Sequence, residues 1–247
     1  QLSLKTQKVK DVIERIGHQN PDLVKPTLGP KNPWAYRNKM QMPVGGTKGD
    51  IQMGFYAMGS HDIVQGTNCP IQDEGNNIIA QACYQIAKEF DIEPYDEHTG
   101  KGVLRHVIGR IGQSGWMIIL VTATEHLPHQ EKWVEKLTER VPQVETIVHN
   151  VNGKRTNVIL GPKNSVLYGD GTITDHIKDL RFTLSPHSFF QVNPEQTTVL
   201  YDQALAYADL KGNETVIDAY CGTGTISLFL AHKAKHVIGI EIVEPAI

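Results

Sequence analysis

The sequence predicts an α/β protein in which an α+β domain precedes the first half of a doubly wound cofactor domain. Up to about residue 180, strand and helix patterns are grouped rather than strictly alternating, which is typical of α+β domains. Beyond that point the order becomes strand, glycine turn, helix and strand, which is the repeating unit of a doubly wound parallel sheet. We therefore expect two domains, at residues 1–180 and 181–247.

Hydrophobic periodicity places the elements of the first domain. Apolar residues lie on one stripe of segment 4–17, which predicts an amphipathic helix, and prolines in 20–33 predict a loop. Two glycine-containing turns, 45–49 and 113–115, predict hairpins. The other predicted helices of this domain are 73–90 and 129–141. The predicted strands are 34–44, 51–64, 102–111 and 115–124, with short strands within 145–169.

The segment 215–241 is the most informative part of the chain. It predicts a buried strand ending at Asp218, a turn containing Gly222 and Gly224, an apolar helix, and a second strand followed by Glu241. Cofactors of open α/β sheets bind beyond the carboxyl ends of the strands, where an acidic residue about 20 positions after the turn holds the ribose. This spacing predicts a nucleotide-cofactor site.

The glycine pattern distinguishes between cofactors. A dinucleotide fingerprint has a third glycine that this chain replaces with Ser227. S-adenosylmethionine carries no phosphate, so its turn needs close backbone approach without an anion cradle. The turn therefore favours S-adenosylmethionine over a nicotinamide or flavin cofactor. A glycine turn that serves only packing is the third interpretation.

Composition indicates a globular protein of ordinary type. Hydrophobic residues make up 40% and charged residues 21%, and no apolar run approaches the length of a membrane span. Three cysteines without paired spacing do not form a disulfide framework. These features predict a cytoplasmic protein without a membrane partner.

The charge distribution is uneven, although the net charge is only −3. Residues 1–49 contain nine Lys or Arg and three Asp or Glu, a difference of +6. Such a segment is suited to contact a phosphate backbone. A solvated basic helix face explains the same pattern equally well.

Segment 184–194 precedes a predicted helix at 195–208 and contains two aromatic residues and an amide pair. One interpretation places Phe189 and Phe190 in the core and makes Asn193 the cap of the helix. The alternative is that Gln191 reaches into the cofactor crevice.

The chain resembles the uracil-5 methyltransferases of transfer and ribosomal RNA. The pattern S-P-x-S-F-F-Q-V-N at 185–193, followed by D-A-Y-C-G-T-G-T and V-I-G-I-E-x-V-x-x-A, has that family's order and spacing. The similarity extends upstream to 36–39, to 60–64 with Cys69 beyond it, and to 104–106. Together these motifs cover most of the chain.

The resemblance implies a Rossmann-like, S-adenosylmethionine-dependent methyltransferase domain after a central RNA-binding domain whose N-terminal helix is able to pack on it. It implies that Phe189 lies near the target base. The cofactor-binding residues expected by similarity and position are Gln191, Asp218, Tyr220, Gly222, Gly224, Thr225 and Glu241. The expected RNA contacts are Arg37, Lys39, Arg105 and His106. The RNA partner is ribosomal or transfer RNA, and no protein partner is inferred.

In this family a cysteine adds to carbon 6 of uracil, carbon 5 attacks the methyl group, and a base removes the carbon-5 proton. The resemblance places the nucleophile and the base after Ile247, so we expect no catalytic residue in this chain and no turnover by it alone. Cys221 is expected to be a small packed thiol rather than a substitute nucleophile.

Many family members carry an iron–sulfur cluster, and Cys69-Pro resembles its last ligand. A four-iron cluster needs four thiolates, and Cys83 lies in a predicted helix. We expect no cluster in this chain, although the complete protein is compatible with one. Other functions that the sequence allows are a noncatalytic RNA-binding module and, with less support, a nicotinamide-dependent oxidoreductase.

Overall fold

The computed structural model describes residues 1–242, which form two compact units. The first unit is Gln1–Pro33 and the second begins at Trp34. In the first unit, helix α1 (Leu2–Arg15) is followed by a 3-10 turn at Pro21–Leu23. The Thr6 and Thr27 hydroxyls are 2.9 Å apart, and this hydrogen bond ties the returning chain to the helix.

A seven-stranded sheet organises the second unit. Its spatial order is β3-β2-β1-β4-β5-β6-β7, and all neighbouring pairs are antiparallel except β5 and β6. Helix α3 connects these two parallel strands, as a parallel crossover requires. The strands are β1 (Lys39–Thr47), β2 (Asp50–Tyr56), β3 (Ile63–Gln65), β4 (Leu104–Ile111), β5 (Trp116–Thr122), β6 (Val144–Val151) and β7 (Lys163–Tyr168). The helices of this region are α2 (Glu74–Glu89) and α3 (Gln130–Arg140).

The sheet is buried on both faces at its centre. Successive side chains of a strand point to opposite faces, so Ile118 and Leu120 of β5 join a core with α2 and α3, where Trp133 is fully buried. Met117 and Ile119 join a second core on the other face. The near-continuous apolar sequence of β5 is the expected signature of a strand with no solvent-facing side.

The second core connects the sheet to the remaining elements. It contains Phe182 and Phe190, whose ring centroids are 5.5 Å apart, and the pair Tyr201 and Phe229 at 5.6 Å. The elements that supply it are the hairpin β8 (Ile173–Ile177) and β9 (Leu180–Leu184), helix α4 (Pro194–Ala208) and helix α5 (Thr225–Ala231). The short parallel strands β10 (Thr215–Asp218) and β11 (His236–Gly239) flank α5 in sequence.

Most predicted elements are confirmed, including both hairpins, the four helices predicted outside the glycine unit, and the strand–turn–helix–strand unit. The strand predicted at 34–44 is wrong in its first part, because Ala35 has a left-handed φ of +51° and the strand begins at Lys39. The strand predicted at 51–64 is two strands, since Ala57 donates to the Asp62 carbonyl and closes a turn between β2 and β3. The β8–β9 hairpin was not predicted.

The α/β fold class is confirmed, with a mainly antiparallel sheet preceding a parallel strand pair. The division into domains at 1–180 and 181–247 stays a prediction. Residue 180 opens β9, directly after the turn of the hairpin, and residues 243–247 of the second expected domain lie outside the described range. No helix within residues 1–242 combines the length and the apolar character that crossing a membrane requires.

Replacement of Asn150 by alanine tests a buried pair of hydrogen bonds between strand β6 and the loop before β7. This fully buried amide donates to the Gly161 carbonyl (2.8 Å) and accepts from the Gly161 N–H (2.8 Å). Because both backbone groups lose their partner, we expect Asn150→Ala to lower the free energy of unfolding by about 1–3 kcal/mol in urea titrations. Replacement of the exposed Asn213 by alanine is the control. Equal stabilities of the two variants would show that the hydrogen bonds of Asn150 do not stabilise the fold.

Candidate cofactor and nucleic-acid site

The glycine turn lies at the carboxyl ends of β10 and β11. Gly222 and Gly224 have φ values of +54° and +75°, in the left-handed region that side chains disfavour. A Cβ built on Gly222 would meet nothing within 4 Å, so the turn borders open space at this point. The turn therefore leaves its backbone accessible to a ligand.

Two carboxylates hold this turn. Glu241 accepts a hydrogen bond from the Gly222 N–H (2.9 Å), which places its side chain beside the turn. Asp218 accepts from the Ser227 hydroxyl (2.6 Å), so the residue at the third glycine position joins the end of β10 to helix α5. The structure thus brings Asp218, Gly222 and Glu241 together, as their spacing predicts.

The other residues of the turn differ in exposure. Tyr220 is 91% exposed, and Thr225 at the start of α5 shares a 2.7 Å hydrogen bond with the buried Tyr201. Cys221 is half-buried with its sulfur against Gly239, since a Cβ on that glycine would lie 2.9 Å from it. These contacts fit the expectation of a packed thiol.

The two aromatic residues of segment 185–193 differ in their exposure to solvent. Phe190 is buried in the second core, whereas Phe189 is 72% exposed. Asn193 caps α4 by accepting from the Gln196 N–H (3.0 Å), and Gln191 between them is half-buried. Phe190 is therefore a core residue and Asn193 is the helix cap, as one interpretation of the sequence predicts. Phe189, which that interpretation also placed in the core, is exposed and can face a ligand.

Arg110 is a residue of this region that the sequence motifs did not indicate. It lies in β4, is 3% exposed, and its guanidinium donates to the Ser188 carbonyl. The backbone N–H of Asn38 donates to the Val192 carbonyl (2.9 Å), which is a second link from the sheet side to the same segment. The available signal was a charged residue near the end of the apolar run 107–111 of β4.

Burial perturbs the cations beside this link. Lys39 pairs with Arg110 in the β1–β4 register, and burial, with Arg110 and Arg37 nearby, lowers the pKa of Lys39 to about 8. Burial also lowers the pKa of Arg110 to about 10. Within the described chain, no carboxylate lies within 4 Å of the Lys39 ammonium. Such a cation favours an anionic partner from outside.

The four residues expected to contact RNA lie in three neighbouring places. Arg37 and His106 line one cavity of about 430 Å³, and Lys39 lies with Arg110 in a small cleft. His106 and Arg105 line another cavity, of about 250 Å³. Arg105 is 4% exposed and bonds the Asn152 carbonyl (2.5 Å), which ties its guanidinium to the protein.

The three cysteines are separate. Cys69 is half-buried, Cys83 is fully buried in α2, where burial strongly raises the pKa of its thiol, and Cys221 lies in the glycine turn. Among the described residues no group of three His, Cys, Asp or Glu side chains is arranged to hold a metal ion. The donor set present here therefore does not fit an iron–sulfur cluster.

No protein-family model matches the chain. It is similar over its full length to bacterial proteins named uncharacterized RNA methyltransferase. The relatives from Halalkalibacterium halodurans and Bacillus cereus are each 51% identical over 249 aligned residues, covering 100% of this chain and 54% of the relative. A relative from Clostridium tetani is 49% identical with the same coverage. The chain thus spans about half the length of the curated relatives it matches.

One solved structure has a similar fold. The tRNA (uracil-54, C5)-methyltransferase of Pyrococcus abyssi, determined in complex with S-adenosyl-L-homocysteine, aligns with a TM-score of 0.70 and 23% identity. The alignment covers 88% of this chain and 52% of that protein. At this identity the likeness shows the fold alone, and it confirms the predicted α/β fold class.

Replacement of Lys39 by methionine tests the buried charge. Below pH 8 Lys39 is protonated in both the folded and the unfolded state, so burial of its charge destabilises the fold. Between pH 8 and about 10.4 the folded state loses the proton first, and the cost of burying the charge falls as the pH rises. We expect Lys39→Met to be more stable than the parent by about 1–3 kcal/mol at pH 7, with little difference at pH 10. Urea titrations of both proteins, with the exposed Lys132→Met as control, measure this. A pH-independent difference would contradict it.

Proposed function

We propose that this chain, which is 51% identical over its full length to bacterial proteins named uncharacterized RNA methyltransferase, forms the RNA-binding part and the first half of the cofactor part of an enzyme that methylates carbon 5 of a uridine. The observation that carries this proposal is the hydrogen bond from the Gly222 N–H to Glu241 at the end of a parallel strand pair. It presents an acidic side chain beside an open glycine turn, where α/β enzymes bind nucleotide cofactors.

The residues of the turn fit S-adenosylmethionine, which when bound supplies a methyl group on a positively charged sulfur. Glu241 would accept hydrogen bonds from the ribose hydroxyls in addition to those that it accepts from the Gly222 and Ile242 N–H groups, since each carboxylate oxygen has two lone pairs. The open space at Gly222 would receive the ligand next to the backbone. Tyr220, Thr225 and Gln191 would complete the site, with Tyr220 supplying an exposed ring.

The exposed ring of Phe189 supports a role in holding the target base. An aromatic face can stack on an unstacked uracil, and Phe189 is two residues from Gln191. Arg110 and Asn38 fix the backbone on both sides of this ring. Phe189 would therefore present its face to the RNA from a supported loop.

Arg37 and Lys39 are the cations that we assign to RNA phosphates. Both are half-buried, and the pKa of Lys39 is lowered mainly by burial, with Arg110 and Arg37 nearby. A bound phosphate would stabilise the protonated amine and thereby raise the pKa of Lys39 again. Arg105 Nη1 donates to the Asn152 and Lys154 carbonyls, so a contact of Arg105 with RNA would use the other nitrogens of its guanidinium.

The remaining assignments follow the resemblance. We propose that residues 1–180 bind ribosomal or transfer RNA in the cytoplasm and that residues 181–247 bind the cofactor. The cysteine nucleophile and the general base would come from outside residues 1–247, so this chain alone would bind ligands without turnover. An iron–sulfur cluster in the complete protein would need further cysteines beside Cys69.

Calorimetric titration with S-adenosylhomocysteine tests the cofactor assignment. We expect binding to the chain, none of NADH, and a loss of at least about tenfold in affinity in Glu241→Gln, because a charge-assisted hydrogen bond contributes about 1.5–3 kcal/mol. Glu131→Gln, an exposed residue on α3, is the matched control. Equal affinity of Glu241→Gln and the control would remove Glu241 from the site. Selective binding of NADH would favour an oxidoreductase.

Salt dependence tests the RNA assignment. We expect the logarithm of the RNA affinity to fall linearly with the logarithm of the salt concentration. Arg37→Gln and Lys39→Gln should each reduce the slope by about 0.7 for single-stranded RNA. Fluorescence anisotropy with a labelled RNA measures the slope, and the exposed Lys132→Gln is the control of equal charge. An unchanged slope in both variants would place the phosphate contacts elsewhere.

A further inference from the structure

A second polar cavity, of about 250 Å³, lies where the β1–β2 hairpin meets the loop before β4. We call it the Tyr56 cavity, after the side chain at its wall. Tyr56, His61, Asp62, Glu97, Arg105 and His106 are among the residues that line it. Its volume is of the order needed for a nucleobase, and its chemistry differs from that of the cations assigned to phosphate.

One wall of the Tyr56 cavity is aromatic and fixed. The rings of Tyr56 and His61 are stacked, with centroids 4.9 Å apart and planes inclined by 14°. Glu97 holds both, since it accepts from the Tyr56 hydroxyl (3.2 Å) and lies 2.6 Å from His61 Nδ1. Burial, with Glu97 nearby, raises the pKa of Tyr56 to about 12, so the phenol stays a donor. Preorganised rings of this kind are suited to stack on an unpaired base.

Two residues that line the cavity each have a buried nitrogen without a hydrogen-bond partner in the described chain. These nitrogens are Arg105 Nε and His106 Nδ1, on side chains that are 4% and 7% exposed. Arg105 Nη1 donates to both the Asn152 and the Lys154 carbonyls, and the guanidinium carbon lies 4.3 Å from the centroid of the Tyr95 ring. A buried donor without a partner costs about 1–3 kcal/mol, so acceptors on a ligand would be favoured here.

The charge of the cavity disfavours a phosphate. Asp62, Asp96 and Glu97 contribute three carboxylates against the single guanidinium of Arg105, whereas the pKa of His106 is lowered to about 4, mainly by burial, and its ring is neutral at pH 7. Carboxylates accept hydrogen bonds from the amino and imino groups of bases. Glu97 already holds two rings, and Asp96 accepts from the His98 N–H and the Thr99 hydroxyl, so Asp62 on the exposed turn is the acceptor available to a ligand.

We propose that the Tyr56 cavity binds an unpaired guanine of the RNA substrate, separate from the uridine that is methylated. Guanine carries two acceptors, N7 and O6, on one edge, and amino and imino donors on another. The acceptors match the guanidinium N–H groups of Arg105 and, in the tautomer that is protonated on Nδ1, the ring of His106; the donors match Asp62, and the base stacks against the aromatic wall. This inference rests on the proposed RNA-binding function and adds a base-specific contact to it.

Titration of residues 1–247 with the four nucleoside 5′-monophosphates tests the proposal, because the phosphate is common to all four. NMR signals of the His61 and His106 imidazoles report binding in the cavity. We expect GMP to bind at least about fivefold more tightly than AMP, CMP or UMP. Asp62→Asn and His61→Ala should each abolish this preference, whereas Asp170→Asn, an exposed carboxylate on another loop, should retain it.

Equal binding of the four nucleotides, a preference for another base, or a GMP preference that survives both Asp62→Asn and His61→Ala would overturn the proposal. The two variants alter exposed side chains outside the cofactor turn, so titration with S-adenosylhomocysteine should be unchanged in both. If the chain binds S-adenosylhomocysteine and RNA but shows no GMP preference, only the guanine site is wrong. If neither of those ligands binds, the proposed function itself fails.

Discussion

The burial of strand β5 on both faces is the constraint on which the rest of the second unit depends. Ile118 and Leu120 need the helices α2 and α3 on one side, and Met117 and Ile119 need cover on the other. That second cover comes from the β8–β9 hairpin together with Phe190, Tyr201 and Phe229. The same hydrophobic requirement that closes the sheet therefore also brings the segment before α4, and α5 beside the glycine turn, onto the sheet.

Hydrogen bonds from β4 and from Asn38 fix the position of the loop that the apolar core brings onto the sheet. Arg110 extends from β4 to the Ser188 carbonyl, and Asn38 bonds the Val192 carbonyl on the other side of Phe189. Phe190 anchors the loop in the core, so its neighbour Phe189 is left exposed. A rigid sheet thus supports a short loop in which the exposed ring of Phe189 is two residues from the half-buried Gln191. Loops held by a rigid scaffold commonly carry binding residues.

The stability of the fold is reduced where the chain keeps unsatisfied polar groups. Lys39 is a cation with a lowered pKa, and within residues 1–242 Arg105 and His106 each retain a buried nitrogen without a hydrogen-bond partner. Such groups oppose folding, because burial removes their hydration without replacing it. These groups lie on strands β1 and β4, where the sheet carries two different polar regions. One has cations suited to phosphate near Arg37, and the other is the mixed polar cavity near Tyr56.

The sequence by itself determined the features that depend on local spacing. The period-2 and helical patterns located most elements, and the interval from Gly222 to Glu241 predicted their meeting at the turn, because a strand–turn–helix–strand unit has a nearly fixed geometry. The tertiary structure alone decided which of Phe189 and Phe190 is exposed, and that Arg110 supports their loop. It also decided that Arg105 is tied to the protein and that Tyr56, Glu97 and His106 share a cavity. These outcomes depend on contacts between residues far apart in sequence, and such contacts follow from how the two faces of the sheet are covered rather than from any local pattern.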